Sequence, residues 1–224
     1  SSTHVPFGAW RSVDHSQHGF FTEAFSDDVA EAADKDPYLL RRELLADKPR
    51  HRKLLDTAAE KAGWNQPVGE GRGRGISLQE SFGTLVAQVV EVTVDRGDVT
   101  VDRVVLAVDP GFAVSPDGLT AQMESGVIYG LSAAMYVEIN IEEGRVFQSA
   151  FENYPVIRMQ DAPLIETHIV NSGEAWGGAG EPGTPGIAPA LANAIYQATG
   201  TRVRQLPVSR YDLNYRVSEP EELI

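Results

Sequence analysis

Apolar residues recur at spacings of three and four through "HGFFTEAFSDDVAEAADK", where Phe21, Ala24, Phe25, Val29 and Ala32 fall on one side and predict an amphipathic helix. A second helix is predicted from "DPYLLRRELL", with Asp36 as the N-cap and Pro37 as the first helical residue. A third, "KLLDTAAEKAGW", is expected to stop at Gly63. The glycine- and arginine-rich "GEGRGRGIS" then changes the texture of the chain, and a boundary is placed there, separating residues 1–70 from residues 71–224.

Beyond the boundary the period becomes two. "TLVAQVVEVTVD" and "VTVDRVVLAVD" flank the turn residues Arg96, Gly97 and Asp98, a hairpin pattern. A helix follows, capped by Ser115 and begun by Pro116. Another hairpin is expected around Glu143 and Gly144, then a strand in "APLIETHIV", then a helix, "APALANAIYQATG", closed by Gly200. Helices and hairpins in this order predict an α+β fold with a mixed sheet, and no internal repeat is present.

Composition narrows the chemistry. With 42% hydrophobic residues in 224, the chain can bury a substantial core. A net charge of −13 argues against a nucleic-acid partner, since phosphates call for clustered Lys and Arg. The densest basic run, "KPRHRK", is read as a solvated connection between helices. With no cysteine, any iron–sulfur cluster must belong to another chain. No apolar run is long enough to span a membrane, and "SSTHVPFGAW" lacks the pattern of a signal peptide. The absence of an initiating Met suggests a processed piece or a fragment.

Three places draw attention as candidate chemistry. "GAGEPG" spells the G-x-G-x-x-G of a dinucleotide loop, but Glu181 would set a carboxylate beside the phosphates and Pro182 removes an N–H donor. Too few residues follow to complete a βαβ unit, so that reading is rejected. Glu181 is instead a carboxylate among glycines near a helix entry, either a partner of the helix dipole or a positioned base. On the helix from Pro116, Gly118, Gln122, Gly126 and Gly130 share one side, which suits either close helix packing or a flat polar heterocycle held by the amide of Gln122. In the opening loop, Arg11 suits an oxyanion or phosphate, or an ordinary salt bridge. His15 and His18 lack a third ligand at motif spacing, Ser12, Asp14 and His15 do not make a triad, and no metal ligand is assigned.

Taken in order, "AWRSVDHSQ", "DVAEAADKDPYLLRRELL", "SFGTLVAQVVEV", "VDPGFAVSPDGLTAQMESGVIYGLSAAMY", "NYPVIRMQDAPLIETHIV" and "GGAGEPGTPGIAPALANAIYQATGTRVRQLP" resemble the molybdenum-cofactor subunit of the xanthine dehydrogenase/aldehyde oxidase family, most closely the branch of the isoquinoline 1-oxidoreductase beta-subunits. The resemblance runs over nearly the whole chain and covers roughly the C-terminal third of such a subunit. It implies an oxidoreductase that hydroxylates an N-heteroaromatic compound or an aldehyde, with Glu181 as general base. It also implies that Arg11, Gln122 and Gly180 contact the cofactor and that Val13 faces substrate, although the family phenylalanine at that last position is absent. The family's Q-x-E-G reads Gln-Met-Glu-Ser-Gly here, and Asp14 stands where the family commonly has glycine. Residues 1–70 would then be a cofactor-contacting loop with a helical segment, and residues 71–224 the molybdopterin-binding domain with the glutamate loop. The cofactor implied is molybdenum-molybdopterin, plain or as the cytosine dinucleotide.

The family's earlier cofactor loops have no counterpart in this sequence. A second chain is therefore expected to complete the site, over an interface above roughly 1,600 Å², with a [2Fe-2S] subunit accepting electrons. Without that second chain, the backbone at Gly118, Gly126 and Gly130 is expected to lie open to water. The competing reading is a non-catalytic binding or assembly module that keeps the molybdopterin-domain fold.

Overall fold

The computed structural model describes residues 8–213. Three helices come first: α1 (Asp14–Ala32), α2 (Pro37–Leu44) and α3 (Pro49–Ala62). Asp36 caps α2 as its sequence predicts, its carboxylate accepting from the N–H of Leu39 at 2.9 Å. Gly63 ends α3 in the left-handed conformation, φ 65°.

The predicted hairpin is present as β2 (Thr84–Asp95) and β3 (Asp98–Asp109). Its turn carries positive φ at both Arg96 and Gly97, which matches the twist of the flanking strands. A strand the sequence did not announce, β1 (Arg72–Ser81), precedes it and pairs antiparallel with β2, so the arginine–glycine stretch is a strand entry. After β3 come α4 (Pro116–Met135), the small hairpin β4 (Ile141–Glu142) and β5 (Arg145–Val146), then β6 (Leu164–Ile169) and α5 (Ile187–Thr199). The main sheet has the order β1-β2-β3-β6, antiparallel except for the parallel pair β3/β6. The fold is α+β with a mixed sheet.

Both faces of the sheet are covered, which is why β2 reads as a nearly continuous apolar run. On one face Leu54, Leu55, Ala58 and Ala59 of α3 pack on Ile76, Leu85, Ala87, Val89, Val105 and Ala107. Leu54 and Leu55 are fully buried, each contributing about 2 kcal/mol of transfer free energy. On the other face α4 and α5 bury Met123, Val127, Leu131, Ile187, Leu191 and Ile195 against Val86, Val90, Val104, Leu106 and Val108.

Two readings of the early segment are corrected. Helix α1 buries Phe20, Ala24, Asp27 and Ala30, while Phe21, Phe25, Val29 and Ala32 are exposed, so of the predicted apolar stripe only Ala24 faces this core and the rest points away from it. The basic run is not a connection between helices. Pro49, Arg50, His51, Arg52 and Lys53 form the first turns of α3, and Arg50 ion-pairs at 2.7 Å with the buried Asp109 at the end of β3. Burial disfavours the charged form of Asp109, yet the hydrogen bonds from Arg50, the Gly111 N–H and Ser172 outweigh it and hold the carboxyl below its usual value.

Candidate functional site

The segment that carries Glu181 is laid against the sheet by backbone contacts. Gly177 N–H donates to the Pro110 carbonyl at 3.0 Å and Gly178 N–H to the Phe82 carbonyl at 2.8 Å, while the Thr84 hydroxyl donates to the Gly178 carbonyl at 2.6 Å. A Cβ on Gly177 would lie 2.3 Å from Thr84 Oγ1, so only glycine fits this crossing. The chain then turns through residues 181–186, with Thr184 N–H donating to the Glu181 carbonyl at 3.0 Å, and enters α5.

Helix α4 lies across this turn. A Cβ on Gly126 would come within 3.0 Å of Gly183 backbone atoms, and one on Gly130 within 3.1 Å of the Thr184 carbonyl and Ile187. The expectation that these glycines lie open to water is therefore corrected. Gly126 and Gly130 are buried beneath the glutamate turn of their own chain, and only Gly118 is exposed. Close packing is the reading the structure supports for that stripe, and Gln122 stands exposed at its outer edge.

The opening loop closes over the same place. Trp10 packs against Tyr129 of α4 with ring centroids 5.1 Å apart, and the Arg11 guanidinium lies 5.5 Å from the Tyr129 ring centre. Arg11 donates through Nε to the Gly180 carbonyl at 3.2 Å and through Nη2 to the same oxygen. It also donates through Nη1 to Ser125 Oγ at 3.0 Å and through Nη2 to Gln122 Oε1 at 3.3 Å. The Ser12 hydroxyl, fully buried, donates to the Glu181 carbonyl at 2.8 Å. Ser12 and Val13 both hold positive φ, 70° and 44°. For a β-branched residue this is an outlier that the surrounding contacts must enforce. Asp14 and His15 belong to the first turn of α1, and His15 packs on Phe82.

Arg11, Gln122, Gly180 and Glu181 thus come together from three distant segments, with Val13 two residues beyond Arg11 and 38% exposed. Sequence reasoning did not single out Ser125 or Tyr129, which complete the seat of Arg11; their spacing of three and seven residues from Gln122 on one helix is the signal that would have found them. Among the described residues the Glu181 carboxylate and the Gln122 Nε2 have no hydrogen-bond partner, and Glu181 is half-buried. The site therefore presents one carboxylate acceptor and one amide donor beside a guanidinium most of whose own donors are engaged by the protein. Such a set fits an uncharged, hydrogen-bonding heterocycle better than a bare metal ion, and among the described residues no cluster of three or more His, Asp or Glu could hold one.

Comparison with known proteins defines the class. Residues 20–163 match the family described as the molybdopterin cofactor-binding domain. The chain belongs to that family, as part of a molybdenum-binding subunit of the xanthine dehydrogenase type. It is 34% identical over 203 residues to the beta-subunit of the isoquinoline 1-oxidoreductase of Brevundimonas diminuta, covering 88% of this chain and 26% of that protein. It is also 34% identical over 219 residues to a nicotinate dehydrogenase subunit of Pseudomonas putida, covering 89% of this chain and 18% of that protein. The chain thus spans about a quarter or less of these relatives, both named as subunits. The fold is shared with the aldehyde oxidoreductase of Desulfovibrio gigas, at a TM-score of 0.69 and 16% identity over 92% of this chain and 41% of that one.

Proposed function

We propose that this chain is the C-terminal part of the molybdenum-binding subunit of a molybdenum hydroxylase, and that Glu181 is its general base. The observation that carries the reading is the Glu181 carboxylate itself. Its backbone is fixed by Ser12 and its neighbour Gly180 by Arg11, yet its side chain has no hydrogen-bond partner among the described residues. A carboxylate held by its main chain and left free at its oxygens is suited to take a proton from a group placed against it. Gln122, with a free amide N–H, and Arg11, which orients it through Oε1, would hold the molybdopterin together with the Gly180 backbone. When bound, the molybdenum centre supplies the redox step of the hydroxylation. Val13, exposed beside Arg11, would face the substrate.

The substrate class is an N-heteroaromatic compound or an aldehyde, in line with the names of the relatives, and the cofactor is molybdopterin, plain or as the cytosine dinucleotide. The remaining cofactor loops come from polypeptide beyond this sequence, in the same subunit or a second chain, with a [2Fe-2S] subunit as electron acceptor. Phe21 and Phe25, each 63% exposed on α1, support a further protein surface packing there. We place the boundary between a cofactor-contacting loop with helices and the glutamate-bearing domain near residue 70, at the entry to β1.

The test is Glu181→Gln in the complete enzyme. Molybdenum and pterin contents stay at wild-type levels, while turnover falls by at least about a hundredfold, the usual worth of a positioned base. Turnover near wild type overturns the assignment.

A further inference from the structure

Strand β1 carries Gly73, Gly75 and Ser77 on one face, and that face meets α5. A Cβ on Gly73 would lie 1.9 Å from the Ala194 carbonyl oxygen and one on Gly75 2.1 Å from that of Ala190, so α5 rests on bare strand backbone. Ser77, next on this face, is directly opposite Gln88 of β2. Both side chains are fully buried. Neither bonds to its own sheet. The Ser77 hydroxyl donates to the Gly186 carbonyl at 2.8 Å, and Gln88 Nε2 donates to the Gly183 carbonyl at 2.7 Å.

These two carbonyls lie within the turn that runs from Glu181 into α5. A buried carbonyl without a donor is costly, and among the described residues Gln88 is the only donor to the Gly183 carbonyl; the Gly186 carbonyl also accepts the first bond of α5, from the Ala190 N–H at 3.2 Å, and Ser77 adds a second. The contact is also closely fitted. A Cβ on Gly186 would lie 2.3 Å from Gln88 Oε1 and 2.6 Å from Ser77 Oγ, and Gln88 Oε1 is itself buried with no hydrogen-bond partner among the described residues. Arg11 and Ser12 hold the start of the turn at Gly180 and Glu181; Ser77 and Gln88 hold its far side at Gly183 and Gly186.

We infer that the cross-strand pair Ser77 and Gln88 is a positioning device for Glu181, acting on the carboxylate only through the backbone of residues 183–186. The inference rests on the reading of Glu181 as the base. Because both side chains are fully buried and directed at the carbonyls of the turn, loss of the pair is expected to leave binding intact and to misplace the carboxylate.

The experiment uses the complete cofactor-loaded enzyme carrying Ser77→Ala or Gln88→Met, alone and with Glu181→Gln. The first readout is amide hydrogen exchange over residues 181–190, where Thr184, Ile187 and Ala190 donate to Glu181, Thr184 and Gly186. Both single variants speed exchange there by about tenfold or more; unchanged exchange overturns the clamp. The second readout is steady-state kinetics. In the Glu181 background kcat falls about tenfold with KM unchanged, and in the Glu181→Gln background Ser77→Ala and Gln88→Met cause no further loss. Faster exchange with kcat unchanged, or an equal loss in both backgrounds, overturns the positioning role. Full turnover in Glu181→Gln alone defeats the assignment of the base, and the positioning role with it, while the exchange result still decides whether the clamp exists.

Discussion

Arg11 and Gly180, 169 residues apart in the chain, are joined by a guanidinium that donates to the carbonyl just ahead of Glu181. The same planar group reaches Ser125 and Gln122 on α4, so one side chain sets the opening loop, the central helix and the glutamate turn relative to one another.

A lysine at this position keeps the charge and loses the fork. Arg11→Lys is expected to lower turnover of the complete enzyme by about tenfold, through the released Gly180 and Gln122. Because these contacts are solvent-exposed, stability is expected to change by no more than about 1 kcal/mol. Paired kinetic and denaturation measurements check this, and equal losses in both would contradict it.

The glycines of α4 give a graded test. An alanine normally favours a helix over glycine by about 1 kcal/mol. At Gly126 and Gly130 the added methyl meets the glutamate turn at 3.0–3.1 Å, so Gly126→Ala and Gly130→Ala are expected to destabilise by about 1–3 kcal/mol. At Gly118 the nearest atom is the hydroxyl of Ser115, which can rotate away, and Gly118→Ala is expected to be neutral or to stabilise by up to about 1 kcal/mol. Denaturation midpoints of the three variants, measured side by side, decide it.

Asp27 gives a dependence on pH. Burial, larger than the attraction of Arg41 at 2.6 Å and of Arg202, pushes its carboxyl up to about 6, with Glu23 adding repulsion. A carboxyl whose pKa is higher in the folded chain than in the unfolded one, where it is near 3.8, stabilises most when protonated. Its contribution falls as pH rises from about 4 to 6. Asp27→Asn is therefore expected to gain about 1–3 kcal/mol relative to wild type across that window, and to level off above it. Denaturation curves at about pH 4, 5, 6 and 7 read the trend; a gap that narrows with pH would show the opposite shift.

Asp109 runs the other way. Its pKa is held low, so its stabilisation is present above the ordinary carboxylate pKa and is lost as pH falls through the folded value. Asp109→Ala strands the Arg50 guanidinium, the Gly111 N–H and the Ser172 hydroxyl, and is expected to cost about 3–5 kcal/mol at neutral pH, with the difference shrinking in acid. Denaturation of the variant and the wild type at neutral and acid pH checks it.

Much of the local structure was legible because its causes are local. The Asp36 cap, the Arg96–Gly97 turn, the Glu143–Gly144 turn and the left-handed Gly63 and Gly200 each follow from the backbone preferences of one or two residues. Arg11, Gln122, Gly180 and Glu181 were legible as a set through family resemblance, since nothing in their spacing says that they meet. Ser125, Tyr129 and the pair Ser77 and Gln88 were missed because a serine, a tyrosine or a glutamine on a predicted element looks the same whether it faces solvent or a distant carbonyl.

By itself the sequence determined the elements and the chemical inventory: helices and strands from their apolar periods, ends from caps and glycines, and a carboxylate among glycines with no cation nearby in the chain. Tertiary structure decided what each surface meets. It turned Phe21 and Phe25 outward while burying Phe20, and made "GRGRGIS" a strand because α5 needed a face without side chains. It also buried Gly126 and Gly130 under the turn that carries Glu181. An apolar period states that a face will be dehydrated, but not by what. A glycine states that the backbone can be approached closely, but only the packed chain supplies the atom that does so.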